Sequence, residues 1–239
     1  MSPVTDDLNV KIFADGADLD AILALAADSR IAGFTTNPTL MWKAGLTDYE
    51  EFAKRLLERI TEHPISFEVF ADDADEMRRQ ALMISEWGNN VYVKIPVSTT
   101  AGESMAPLVR ELSEDGVKVN VTAVFTTAQV ELITKAVTDG APSYISVFAG
   151  RIADAGIDPV PLMANAVNIM VQAPRAELIW ASPREILNVV QADQIGCHII
   201  TVTHDLLKKL DLLGKDLLQY SLETVQMFRR DALAAGFTL

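Results

Sequence analysis

Short apolar runs alternate along the chain with longer stretches whose apolar positions recur every three or four residues. The runs are VKIFAD (10–15), AGFTTN (32–37), ISFEVFA (65–71), VYVKIPV (91–97), VKVNVTAVF (117–125), SYISVFA (143–149), ELIWAS (177–182) and HIITVT (198–203). Their β-branched and aromatic content and short length predict buried strands. The stretches between them predict helices at 18–29, 48–60, 74–87, 104–115, 127–137, 160–172, 183–191 and 204–213. Strand alternating with helix predicts a parallel sheet. Eight such units with no linker or low-complexity tract predict one α/β domain over 1–239, a closed (β/α)8 barrel of the TIM type. Neither GxGxxG nor a P-loop occurs, which weakens the open doubly wound alternative. Residues 214–236 add a C-terminal helical extension, on which Leu218, Leu222, Val225, Phe228 and Ala232 form one apolar stripe. The stripe predicts either a lid over the chain's own barrel or packing on a neighbouring subunit.

The run VYVKIPV breaks the pattern, because it places Lys94 in the middle of an apolar strand. Burial disfavours an ammonium, so a lysine there needs a partner or a purpose. Other strand ends are also polar. Asp15 closes the first, Thr35, Thr36 and Asn37 the second, and Glu68 lies on the third. Asn120 and Thr122 alternate with Val119 and Val121 on the fifth, and Ser146 lies on the sixth with Arg151 just after it. Ser182 ends the seventh, and Arg184 follows. In a barrel of this type the C-terminal strand ends carry the chemistry. A lysine, two carboxylates and several hydroxyls on one mouth suit a polyol substrate.

Each of these residues also has a purely structural reading. Lys94 could snorkel from the strand end or pair with Glu68, and Asp15 could cap the helix that follows. Asn37-Pro38 could simply begin a helix. Arg151 and Arg184, read singly, are ordinary solvated arginines.

Composition narrows the alternatives. Of 239 residues, 49% are hydrophobic, and the mean hydropathy is +0.19, enough for one large core. The net charge of −13 opposes binding to nucleic acid, and an anionic substrate would need a local cationic pocket. Cys197 is the single cysteine, so no intrachain disulfide forms, and its GCHII context reads as a buried small hydrophobe. No apolar run approaches the ~18 residues of a membrane span. The acidic start MSPVTDDLNV has no signal-peptide pattern, so a cytoplasmic, membrane-free protein is expected. His63, His198 and His204 show no metal-ligand spacing, with His198 expected on a strand face and His204 at a helix start. There is no GxSxG elbow, and Trp42, Trp87 and Trp180 read as core.

FADGAD (13–18), TTNPTL (35–40), VYVKIP (91–96), NVTAVF (120–125), SVFAGRI (146–152) and AS (181–182) resemble the transaldolase family in order and spacing, across most of the chain. The resemblance implies a class I aldolase-type barrel without metal or cofactor, acting on sugar phosphates. It assigns Lys94 to the Schiff-base lysine, Asp15 to the acid/base at the C4 hydroxyl, and Glu68 with Thr122 to the water that hydrolyses the imine. Thr35, Asn37, Asn120, Ser146 and Phe148 fall to the donor site, and Arg151, Ser182 and Arg184 to the phosphate site. Gly16 departs from the family pattern with little expected consequence. After Ser182 the chain is one residue shorter than in longer members, which leaves the superposition of Arg184 on their second phosphate arginine open. The chain resembles the compact branch, which implies a homo-oligomer, a pentamer or decamer.

Within the resemblance two activities compete: transfer of a dihydroxyacetone unit between sugar phosphates, and free aldol cleavage of fructose 6-phosphate. By resemblance, the aldolase branch carries glutamine and tyrosine at the positions of Glu68 and Phe148, so this chain has the transferase pair. A third reading, a sugar-phosphate binder without catalysis, is disfavoured by the presence of the lysine, both carboxylates and the arginine.

Overall fold

Eight strands, β1 (Lys11–Asp15), β2 (Ile31–Thr35), β3 (Ile65–Glu68), β4 (Val91–Pro96), β5 (Val119–Val124), β6 (Ser143–Val147), β7 (Ala176–Trp180) and β8 (Ile199–Thr203), pair in sequence order as parallel neighbours. β8 returns to pair with β1, closing the barrel. These elements come from a computed structural model, which describes residues 8–237. Residues 1–7 of the acidic start lie outside the described residues, as do 238–239.

The predicted helices are present, most of them shorter, α6 with the predicted bounds and α8 and α9 shifted: α1 (Leu19–Leu25), α3 (Tyr49–Leu57), α4 (Ala74–Ser85), α5 (Ala106–Glu114), α6 (Thr127–Val137), α8 (Pro159–Met170), α9 (Leu187–Gln194), α10 (His204–Leu207) and α11 (Leu217–Ala234). Their starts follow local chemistry. Asp48 and Asp73 accept from the backbone of α3 and α4, and Thr126 with Gln129 forms a capping box on α6. Two short helices were not among the predicted ones, α7 (Ala149–Asp154) and α2 (Pro38–Lys43), the latter having only the helix-start reading of Asn37-Pro38. Each begins where a predicted strand was drawn too long. Thr36 and Asn37 leave the sheet to start α2, and Phe148 becomes the N-cap of α7. The 204–213 stretch is broken, with α10 followed by a 3₁₀ turn at Leu210–Leu212.

The larger apolar core lies between the strands and the helices. Inside the barrel a smaller cluster closes the lower half. Phe13 meets Tyr144 edge-on at 5.7 Å, and Tyr144 stacks on Tyr92 at 4.0 Å. Gly33 is required there, since a Cβ would lie 2.6 Å from the Phe13 ring. This plug makes the barrel a packed core with an opening only above it.

Three structural expectations are corrected or resolved. Trp42 is not core: it sits on α2 with 78% of its surface exposed, whereas Trp180 is fully buried. Asp15 does not cap a helix, because Asp18 is the residue that accepts from the α1 backbone. None of the residues of α11 is buried, and none lines the barrel opening, so its apolar stripe does not cover its own barrel. Among the described residues no helix is long and apolar enough to cross a membrane. Cys197 is buried, and burial pushes its thiol up to about 12.

Candidate active site

Parallel register brings the polar strand ends to one level. Lys94 stands beside Glu68 on one side and Asn120 on the other, and Asp15 stands between Thr35 and Thr203. Above the aromatic plug they surround a cavity of about 440 Å³. Every residue that the resemblance assigns to the site lines it except Asn120 and Arg184.

Lys94 is 7% exposed. Its Nζ donates to the Thr36 carbonyl at 2.8 Å and lies 3.3 Å from Glu68 Oε2. The ion pair with Glu68 is therefore real, but both of its members face the cavity rather than the protein interior. Glu68 is placed through its backbone: its N–H donates to Tyr49 Oη at 2.6 Å, and that hydroxyl donates to its carbonyl at 3.1 Å. Burial holds the Tyr49 phenol well above its ordinary value.

Asp15 is the carboxyl with the clearest perturbation. Burial raises its pKa, outweighing the Lys94 charge and the hydrogen bonds from Thr35 and Asn37 that lower it. Thr35 Oγ1 donates to Asp15 Oδ1 at 2.8 Å and stands 2.5 Å from Thr201 Oγ1. A hydroxyl has a single proton, so with that proton on Asp15, Thr35 must accept from Thr201. Thr35 thus orients Asp15 rather than offering a free donor to a ligand. Asn37 has two jobs: its Oδ1 caps α2 through Leu40 N–H, and its Nδ2 reaches Asp15 Oδ2 at 3.5 Å. Asn37 thus begins a helix, as the Asn37-Pro38 pair suggested, and also lines the cavity.

Asn120 does not line the cavity and is fully buried. Its Nδ2 donates to Ser66 Oγ at 3.0 Å and its Oδ1 accepts from Ser146 Oγ at 2.7 Å. Because Ser146 spends its proton on Asn120, it presents only lone pairs to the cavity.

The two arginines differ. Arg151 stacks over the Phe148 ring, with its guanidinium carbon 5.2 Å from the centroid, and among the described residues no carboxylate lies within 4 Å of it. Arg184 is committed elsewhere: Nε donates to Asp154 Oδ1 at 3.0 Å and Nη2 bonds Asp154 Oδ2. The cavity therefore has one uncommitted guanidinium alongside the lysine and the carboxylates.

Two residues of the cavity wall are held at positive φ without being glycine, Ala123 at 59° and Ser182 at 60°. Such backbone is uncommon and clusters at functional sites. The Ser182 turn leaves no room for a side chain at Gly150 of α7, where a Cβ would fall 1.5 Å from the Ser182 carbonyl oxygen.

The sequence matches the model of the family described as "Transaldolase/Fructose-6-phosphate aldolase" over residues 12–238. The chain belongs to this family. Among its relatives is a "Probable transaldolase" of Streptococcus equi subsp. zooepidemicus, 38% identical over 84% of this chain and 90% of the relative. A "Probable transaldolase 2" of Listeria monocytogenes is 36% identical over 84% and 88%. Of solved structures, a dihydrodipicolinate synthase from Rhodopseudomonas palustris superposes with a TM-score of 0.58 at 15% identity, covering 81% of this chain and 69% of that one. At that identity the likeness shows the barrel fold alone.

Within this candidate site, Tyr49, Thr201 and Thr203 had not been singled out, and Thr36, noted for its polar side chain, contributes through its carbonyl. Thr201 and Thr203 were findable, since they alternate with Ile200 and Val202 as Asn120 and Thr122 alternate with valines. Tyr49 begins an amphipathic helix, and nothing in its sequence context marks its hydroxyl.

Proposed function

We propose that the protein is a transaldolase that carries a dihydroxyacetone unit from a ketose phosphate, sedoheptulose 7-phosphate or fructose 6-phosphate, to an aldose phosphate on Lys94, the chemistry of the pentose phosphate pathway. The observation that carries this reading is the company Lys94 keeps: one cavity holds its amine, the carboxyls of Asp15 and Glu68, and an unpaired Arg151.

The Lys94 amine attacks the ketose carbonyl, and loss of water gives an iminium. Asp15 takes the C4 hydroxyl proton as the C3–C4 bond breaks, and the bonding pair moves into the iminium to leave an enamine. The aldose phosphate departs with a new carbonyl at C4. An acceptor aldehyde then enters, the enamine carbon attacks it, and Asp15 returns its proton to the new hydroxyl. Water, oriented by Glu68 and Thr122, adds to the iminium and releases the product ketose. Arg151 and Ser182 hold the phosphate, where a fixed guanidinium suits a dianion. Ser146, whose lone pairs face the cavity, accepts from a donor hydroxyl.

Free aldolase activity is the second reading, and Phe148 argues against it. A phenyl ring on the cavity wall offers no hydrogen bond to a hydrolytic water, so the enamine persists until an aldehyde arrives. The distinguishing assay is dihydroxyacetone release from fructose 6-phosphate with and without erythrose 4-phosphate. Transfer should far exceed release; equal rates would make the protein an aldolase.

The exposed stripe on α11, with Leu222, Val225 and Phe228 at 50, 60 and 63% exposure, is assigned to contacts between copies of the chain in a cytoplasmic homo-oligomer.

A further inference from the structure

The sheet opens between β2 and β3 one bond earlier than its geometry requires. Phe34 N–H donates to the Pro64 carbonyl at 2.8 Å, and Thr36 N–H donates to the Ser66 carbonyl at 3.2 Å. In a parallel ladder the next bond runs from Glu68 N–H to the Thr36 carbonyl. That bond is absent, and its two halves are used separately. The Thr36 carbonyl accepts from Lys94 Nζ at 2.8 Å, and Glu68 N–H donates to Tyr49 Oη at 2.6 Å.

We infer that Tyr49 is a positioning residue for Lys94: by occupying the Glu68 amide it keeps the Thr36 carbonyl free to hold the amine. This role rests on the reading of Lys94 as the nucleophile. Tyr49 does not line the cavity. Its ring is fixed in an aromatic cage, 5.6 Å from Trp87, 6.0 Å from Phe67 and 4.6 Å from Phe70, so its hydroxyl has little freedom to leave the amide. A buried amide seeks an acceptor. Without the hydroxyl, the Thr36 carbonyl lies in register to take the Glu68 N–H. Closing that bond would draw the carbonyl from Nζ and shift Glu68 toward β2, moving both members of the 3.3 Å pair.

The test compares wild type with Tyr49→Phe in rapid-quench borohydride trapping of fructose 6-phosphate. The first-order rate constant for adduct formation should fall about tenfold or more, with the label still on Lys94 and KM for the phosphorylated donor changed less than about threefold. A merely structural role would lower the fraction of active protein but not a first-order constant. A crystal structure of the variant should show Glu68 N–H on the Thr36 carbonyl. An unchanged rate constant, with Thr36 still on Lys94, would overturn the role of Tyr49. So would a variant that does not fold, because the ladder bond is expected to satisfy the freed amide. A wild type that gives no Lys94 adduct would instead overturn the reading of the site, and this role with it.

Discussion

Arg151 and Arg184 follow the sixth and seventh strands, two and three strand-and-helix steps after the strand of Lys94, yet only Arg151 is available to a ligand, because Arg184 is tied to Asp154 in a two-bond ion pair. Replacing Arg151 by Ala should raise KM for phosphorylated donors by about tenfold or more, the loss of a charge-assisted contact worth roughly 1.5–3 kcal/mol. Free dihydroxyacetone-type ketoses should be little affected. Arg184→Ala should leave both classes within about twofold, as expected for a surface ion pair. Steady-state kinetics on paired substrates reads this directly. A matching KM increase in the two variants would place Arg184 at the phosphate as well.

Asp15 predicts a pH dependence with a definite sign. Its folded pKa is raised, so between the ordinary value of 3.8 and the raised one the folded state binds more protons than the unfolded. Its ionisation therefore lowers stability as pH rises through that window, and the loss is complete above it. Asp15→Asn should be more stable than wild type at neutral pH, and the gain should vanish below the ordinary carboxylate range. Turnover runs the other way. In the proposed mechanism the base form acts at C4, so the acid limb of kcat/KM should lie above 3.8 in wild type. The Asn variant should lose roughly 10²–10⁴-fold in kcat. Denaturation and kinetic pH profiles of the two proteins decide it, and a variant that is less stable at neutral pH would contradict the burial argument.

Phe148 lies under the Arg151 guanidinium and 5.6 Å from Phe125, on the wall of the cavity. Phe148→Tyr adds a hydroxyl where a water could be held. It should raise dihydroxyacetone release relative to transfer, by about tenfold if one well-placed hydrogen bond is gained. Product analysis with and without an aldose acceptor measures the ratio. An unchanged ratio would mean that water access is controlled elsewhere.

The stripe on α11 makes a prediction about assembly. Val225→Asp with Phe228→Asp removes two side chains whose burial is worth about 1.5–3 kcal/mol each. Light scattering should find wild type as a multiple of the chain mass and the double variant as a monomer with unchanged circular dichroism. A monomeric wild type would contradict the assignment of this face.

The barrel was legible because alternation of short apolar runs with amphipathic stretches has few other solutions, and all eight strands form where they were expected. Strand ends were read too long at Asn37, Ala71, Val97, Phe125, Ala149 and Ser182: at most of these apolar or small residues continue the run, whereas Thr36 and Asn37 turn out of the sheet to start α2. The cavity residues were legible from their place at strand ends. What sequence could not carry was where each hydroxyl sends its proton: that Thr35 faces Asp15, that Ser146 faces Asn120, and that Tyr49 holds an amide across 19 positions of chain. Those partners are set by tertiary register. Trp42 was misread for the same reason, since an aromatic residue in a short helix carries no local sign of which way it faces.

The most direct measurement is covalent. Incubation with fructose 6-phosphate and borohydride, followed by peptide mass analysis, should find a reduced dihydroxyacetone-derived adduct on the peptide carrying Lys94. Lys94→Ala should stay folded and form none. An adduct on another lysine, or wild-type turnover that borohydride does not arrest in the presence of the ketose, would contradict the account.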